Sequence, residues 1–408
     1  MLNVWNYSMK TRPIIAAAFT IASTITGFAA TLTVDDDHVQ CPGAQYSSIQ
    51  AAVNAAKQND TINVCPGTYP EQVTVTKSLS INGVNIANQD LILIDPANVL
   101  ANSTGIVNGS PVAAVILADG AKNVNLSNLT VDAGNNQFTD NTLLVGIYYR
   151  NASGNVDSVV VRNVELQVGS PGAQTGYGIF AQSGNGGSAN VTVTNSSVHD
   201  YQKNGIVGQE AATTLTAKNN AVAGSGPNSN IAQNGIELAF GAKGTIDSNF
   251  VTDHIYSPCT DENNCSAAST NIILFNAGNV KVSNNSVGKS QINIALVTNN
   301  ADASSNFAFQ GSLYSTYVVG NSNKLQNNSI FKSDTDAVFV DGAGNMVQNN
   351  NINEAAVGIF QTAASTGTKT NANNFYNVGT TMQTATTMSA MGLERSGGAA
   401  LIEVPARP

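Results

Sequence analysis

A six-residue unit, apolar–x–Asn–x–x–apolar, recurs along the chain. It reads LSNLTV at 126, VRNVEL at 161, VTNSSV at 193, AKNNAV at 217, VSNNSV at 282, LQNNSI at 325 and VQNNNI at 347; IDSNFV at 246 carries Ser248 in the Asn position. Successive units are 35, 32, 24, 29, 36, 43 and 22 residues apart. Asn is a poor strand former, so its return at one place in an apolar pattern marks a bend that the fold repeats. Between the units stand Gly-led alternating runs, GYGIFAQ at 176, NGIVGQ at 204, NGIELAFG at 234 and VGIFQTA at 357. Runs this short cannot bury an apolar face alone, but stacked neighbours can.

This pattern predicts an all-β fold, a single-stranded parallel β-helix (solenoid) with one coil per repeat and strands about 4.8 Å apart. Asn tolerates the left-handed backbone conformation that sharp bends need, and stacked Asn side chains can form an amide ladder. Val131, Leu166, Val198, Val222, Val251, Val287, Ile330 and Ile352 are expected to form one inward stack. The short steps read as single coils and the long ones as coils with inserted loops. A β-sandwich would use longer strands and needs no such repeat.

Only 11% of the 408 residues are charged, Gly numbers 36 and the net charge is −9. These values exclude a coiled coil and argue against nucleic-acid binding. Residues 1–30 read as a signal peptide whose start could also be Met9: Lys10 and Arg12 precede an apolar stretch from Ile14 to Phe28, and Gly27 and Ala29 are small. The stretch is too short and too rich in Thr and Ser to span a membrane. The protein is therefore expected to be secreted or periplasmic, with no membrane insertion after signal removal. Export permits disulfides. Four Cys allow three pairings, of which Cys41–Cys65 with Cys259–Cys265 is favoured because each pair encloses its own compact segment. The absence of CxxC spacing argues against zinc. Residues 31–84 read as an N-terminal cap and first turns, 85–379 as the β-helix and 380–408 as a C-terminal tail or cap. The oligomeric state is not legible.

The stretch from Tyr46 to Val84, YSSIQAAVNAAKQNDTINVCPGTYPEQVTVTKSLSINGV, resembles the start of the right-handed parallel β-helix (pectin-lyase-like) superfamily. Ser47 and Gln50 fit a capping box, and Ile49, Ala52, Val53 and Ala56 make one apolar helical face. The resemblance implies a capping helix that plugs the N-terminal end of the coil, pinned to the first turn by Cys41–Cys65. GTYPE at 67–71 looks like an element of pectin methylesterases, with a structural role: Gly67 turns the chain and Tyr69 packs. The catalytic motifs of such enzymes are missing, including Gln-Asp-Thr-Leu, Gly-Arg-Pro-Trp, the Gly-His-Gly and Arg-Ile-Lys of polygalacturonases, and the Asp-Pro-His of alginate epimerases.

Two polar clusters remain, HDYQK at 199–203 and DHIYSP at 253–258. Aligning Val198 with Val251 sets Asp200 opposite Asp253. With one coil between them the carboxylates would stand about 9–10 Å apart, near the roughly 6.5–9.5 Å of an inverting hydrolase. His199 and His254 could then transfer protons, Tyr201 and Tyr256 could stack on sugar, and Lys203 and Arg162 could face an acidic sugar. The structural reading is turn chemistry, since Asp bonds nearby backbone amides. VDDDH at 34–38 could hold calcium, but a solvated terminus is the favoured reading of consecutive Asp residues, and no cofactor is implied by a motif. Two functions follow. The favoured one is a non-catalytic scaffold or glycan-contacting surface protein; the alternative is a polysaccharide lyase or hydrolase working on the face of Asp200 and Asp253. Polysaccharide is the partner in either case.

Overall fold

The computed structural model describes residues 1, 29–84, 88, 91–139, 142–261, 265 and 267–385. Positions 2–28 of the expected leader and 386–408 of the expected C-terminal tail lie outside the described residues. Among the described residues every strand pairing is parallel except the local one of Ser103 and Thr104 with Val112 and Pro111, and strands pair with the equivalent strand one coil later. The result is a parallel β-helix. Its first sheet has 12 strands, running from Thr31–Val34 to Met346–Gln348. A second set of 20 strands contains two stacks divided by a second bend. From Ser286 onward these two stacks merge into single strands of 11 to 13 residues, such as Phe307–Val319.

The Asn unit serves two purposes, divided between adjacent residues. The third position makes the bend: Asn128, Ser158, Asn195, Asn219, Ser248, Asn284, Ser305, Asn327 and Asn349 all have φ between 52° and 59°. The fourth position makes the ladder. Asn220 donates its backbone N–H and its Nδ2 to Asn249 Oδ1, Asn249 does the same to Asn285, and the pattern continues through Asn306, Asn328, Asn350 and Asn373 at 2.8–3.0 Å. Each Nδ2 also reaches a main-chain carbonyl of an earlier rung, as Asn306 does to Val282 O at 2.9 Å. The bend leaves backbone groups off the strand ladder, and these amides satisfy them.

Immediately after the bend, Val131, Val161, Val198, Val222, Val251, Val287, Ala308, Ile330 and Ile352 stack in register. Two expectations are corrected. Val161, not Leu166, occupies its rung, because Asn163 lies at the second bend, also with φ 56°; the first bend of that coil is made by Ser158. The 43-residue step holds an extra coil, ASSNFA at 303–308, whose bend residue is Ser305. In the third stack Gly178 and Gly205 stand where a Cβ would lie 2.6 Å from a backbone carbonyl of the next rung.

The helix spans Ile49–Ala55, with Ile49, Ala52 and Val53 buried in the core. Its N-cap is Ser48 rather than Ser47. Gln50 does not close a capping box but bonds Thr74, whose N–H donates to its Oε1 at 2.7 Å. Glu71 of GTYPE performs that task instead, accepting from Ile49 N at 2.6 Å, Gln50 N at 2.9 Å and Ser48 Oγ at 2.8 Å. Tyr69 is buried and donates to Cys65 O at 2.6 Å. Both local disulfides, Cys41–Cys65 and Cys259–Cys265, are present.

Bend and ladder residues should respond differently to substitution. Asn328→Ala strips the acceptor from both amide groups of Asn306 and should cost about 3 kcal/mol or more. Asn327→Ala, next to it and exposed, should cost about 1 kcal/mol for its left-handed backbone, and Asn327→Gly close to nothing. Denaturation midpoints that rank Asn327→Ala as the worse of the two alanine variants would contradict this division.

Candidate functional site

The second bend brings several of the expected residues to one line. Asn163, Asp200 and Asp253 occupy equivalent positions there with φ of 56°, 52° and 65°. Val198 pairs with Val222 and Val222 with Val251, so Asp200 and Asp253 are two rungs apart with Gly224 between them. Asp200 and Asp253 are therefore bend residues themselves.

Their surroundings differ. His199 Nδ1 lies 2.7 Å from Asp200 Oδ2, and both side chains are partly exposed. Asp253 accepts from Thr252 Oγ1 at 2.9 Å and stands 3.7 Å from Lys289 Nζ. Asp200 lines a depression of about 300 Å³ with Glu165, Leu166, Pro171, Tyr201, Gln202, Ser225, Asn228, Asn230, Ile231 and Gln233. Burial, with the charge of Asp200 as the second cause, raises the Glu165 pKa. Gln202 ties the 165–175 loop to this bend, accepting from Leu166 N at 3.0 Å and donating to Ser170 O and Ala173 O. Gln233 donates to Tyr201 O at 2.6 Å and accepts from Ser225 N at 2.9 Å. Asn228 Oδ1 accepts from Asn230 N and Ile231 N. Its Nδ2 is buried with no hydrogen-bond partner among the described residues.

Other expected residues sit elsewhere. A left-handed residue interrupts the in–out alternation of a strand, so the side chain after it points into the coil. Val164, Tyr201 and His254 are accordingly buried. Tyr201 OH bonds His254 Nε2, and His254 Nδ1 bonds Asn271 Oδ1 at 2.6 Å. Asn271 Nδ2 already donates to Gly288 O, so Asn271 Oδ1 must accept and His254 Nδ1 carries the proton. Burial lowers the His254 pKa to about 4. Lys203 is buried and donates to Ala232 O at 2.6 Å. Arg162 donates through Nε to Asp132 Oδ2 at 2.9 Å. Tyr256 is half-buried beside the Cys259–Cys265 loop. Of the expected set, Asp200 and Tyr201 line the depression, and His199 reaches it through its contact with Asp200.

Glu165 escaped the sequence reading because VRNVEL was taken for a first-bend unit. A second unforeseen group lies on the third stack, where buried Glu237 accepts from Asn204 Nδ2 at 3.0 Å and Gln209 Nε2 at 3.1 Å, and burial raises its pKa. The alternation of NGIELAFG sets Glu237 on the face opposite Ile236 and Leu238, so no local pattern announces its burial. At VDDDH, ligand atoms of Asp35, Asp36 and Asp37 lie within 4.8 Å of one another. Each already accepts a backbone N–H, from Cys41, Thr68 and Val39 respectively.

No family model matches the chain, and no curated protein matches it. Among solved structures it is similar to the GH136 lacto-N-biosidase from Eubacterium ramulus, with TM-score 0.52 and 10% identity over 87% of this chain and 68% of that one. It is also similar to the A-module of the mannuronan C-5 epimerase AlgE4 from Azotobacter vinelandii, with TM-score 0.48 and 15% identity over 83% and 94% of the two chains. For the DFA-IIIase from Arthrobacter chlorophenolicus A6, crystallised without its lid, the figures are 0.47 and 13% over 82% and 93%. At such identities the likeness is one of fold. Together with the parallel register it defines the class: a right-handed parallel β-helix protein. Among the described residues no helix is long and apolar enough to cross a membrane.

The interior histidine sets a pH dependence. An unfolded His titrates near 6.5, whereas His254 in the fold titrates at about 4. Its depressed pKa means that the stabilisation is complete above pH 6.5 and is lost as pH falls toward 4. The stability gap between wild type and His254→Gln should therefore shrink by on the order of 3 kcal/mol from pH 7 to pH 4. Paired unfolding curves at several pH values check this, and a pH-independent gap would contradict it.

Proposed function

We propose that this is an exported protein that contacts a glycan, without cleaving it, at the depression on the second bend. The observation that carries the reading is Asn228. It lines the depression and keeps a buried Nδ2 without a partner among the described residues, and a buried unpaired donor is costly. A sugar hydroxyl would satisfy it, with Asp200 and Glu165 as acceptors in the same depression. The depression is open and lined by amides, carboxylates and hydroxyls, groups that match the alternating donors and acceptors of a sugar. Two disulfides and the leader-like N-terminus support export, and the fold is one that a lacto-N-biosidase also uses.

One observation favours a second reading, hydrolysis. Glu165 has a raised pKa beside Asp200 in a shared depression, and two carboxyl groups in unlike environments suit an acid and a base. In this reading Glu165 replaces Asp253 as the partner of Asp200. His254, sealed inside the coil, takes no part.

Binding to a panel of plant and bacterial glycans separates these readings. The wild type should bind at least one glycan and release no product from it. Asp200→Ala and Asn228→Ala should each weaken binding about five- to tenfold, the loss of one hydrogen bond. Product release that disappears in Glu165→Gln and Asp200→Asn would favour the hydrolase. Binding that both alanine variants leave intact would refute the depression as the contact.

A further inference from the structure

The outer face of the second stack carries a strip of aromatic rings along its C-terminal half. Phe307, Phe331 and Tyr376 are 45%, 38% and 67% exposed, and Phe309 is half-buried among them. Strand register places Phe309 beside Phe331, then Asn353 and Tyr376, one rung at a time. Exposed rings on a coil of this kind are costly unless they serve a contact, since the inward positions already supply the core.

Phe307 and Phe309 have centroids 5.5 Å apart and planes only 22° apart, so they lie nearly parallel. Phe309 rests on Gly288 of the previous rung: a Cβ there would meet three consecutive ring carbons at 2.4, 2.4 and 2.5 Å. Near-equal distances to three neighbouring carbons mean that the glycine sits under the face of the ring, not at its edge. Gly288 thus works as a seat that keeps Phe309 flat.

We infer that this strip is a stacking platform for an extended, uncharged, β-linked polysaccharide. Rungs repeat about every 4.8 Å, close to the advance of one residue in such a chain, so successive sugars can meet successive rings. The faces of sugar rings are C–H surfaces that pack on aromatic faces, while their equatorial hydroxyls need polar partners at the sides. Ser329, Asn351 and Asn353, interleaved with the rings, provide those partners, and they are uncharged, which matches an uncharged ligand. The column of Phe309, traced back through Gly288, Thr252 and Ala223, reaches His199 beside the depression. A chain lying on the rings therefore runs toward Asp200. The inference rests on the reading of the protein as glycan-contacting and adds a second contact along the same side of the coil.

The test is retention of the full chain on microcrystalline cellulose and chitin, and retardation in gels containing soluble β-glucan, with polygalacturonate as the charged comparison. Wild type should bind an uncharged β-linked polymer. Phe331→Ser and Tyr376→Ser, both at exposed positions, should each weaken that binding about two- to tenfold. Gly288→Val should weaken it similarly by lifting Phe309 off its seat, with every ring still present. Asp200→Ala should leave part of the binding to long polymers in place. Binding that survives the loss of Phe331 and Tyr376 together would overturn the platform while leaving the depression standing. Binding restricted to polygalacturonate would overturn the uncharged ligand, and no binding to any polymer would overturn both platform and depression. Unchanged circular dichroism and melting temperature identify variants whose fold is intact.

Discussion

The left-handed residue at the first bend is the constraint on which the rest of this molecule depends. A solenoid coil must turn sharply at the same place in every rung, and an L-residue enters the left-handed region at a cost that Asn bears better than most. Once the bend is made, the next amide is carried inside the corner. There it bonds its neighbour one rung away in both directions, so each coil fixes the height and register of the next. The column from Asn220 to Asn373 is the result. Hydrophobic stacking of Val and Ile fills the interior, but the amides specify which residue of one coil meets which residue of the next.

The second bend uses the same backbone geometry with a looser choice of side chain, and that freedom makes it available for function. Where the first bend requires Asn or Ser, the second holds Asn163, Asp200, Asp253, Lys289, Gln310, Lys332 and Glu354, all with positive φ. Most of its side chains carry charge, and they recur rung by rung except where Gly224 stands between Asp200 and Asp253. The residue that follows each bend goes inward and is lost to chemistry, which explains why Tyr201 and His254 bond each other inside the coil while Asp200 lines the depression.

Much of the fold was legible because the bend has a strong residue preference. Six Asn units and Ser248 announced it, and the offset of Asp200 and Asp253 after inward Val residues placed both on one line. The failures have equally local causes. Asn163 also adopts the left-handed conformation, so its second-bend unit imitated a first-bend unit and hid Glu165. Ser158 and Ser305 make the bend without Asn, so their coils were missed or misregistered. His254 was expected at the surface by strand alternation, which a left-handed Asp253 shifts by one. The depression itself comes from the loops at 165–171 and 225–231, whose approach is set by Gln202 and Gln233 across a distance no local pattern reveals.

The central claim, that the second bend forms the contact face, is tested most directly by hydrogen exchange with and without a bound glycan. Amides at 165–171 and 228–231, together with Asp200, should gain protection, because these segments wall the depression. Protection confined to the outer side of the first sheet, for instance at 191–194 and 214–218, would contradict the account.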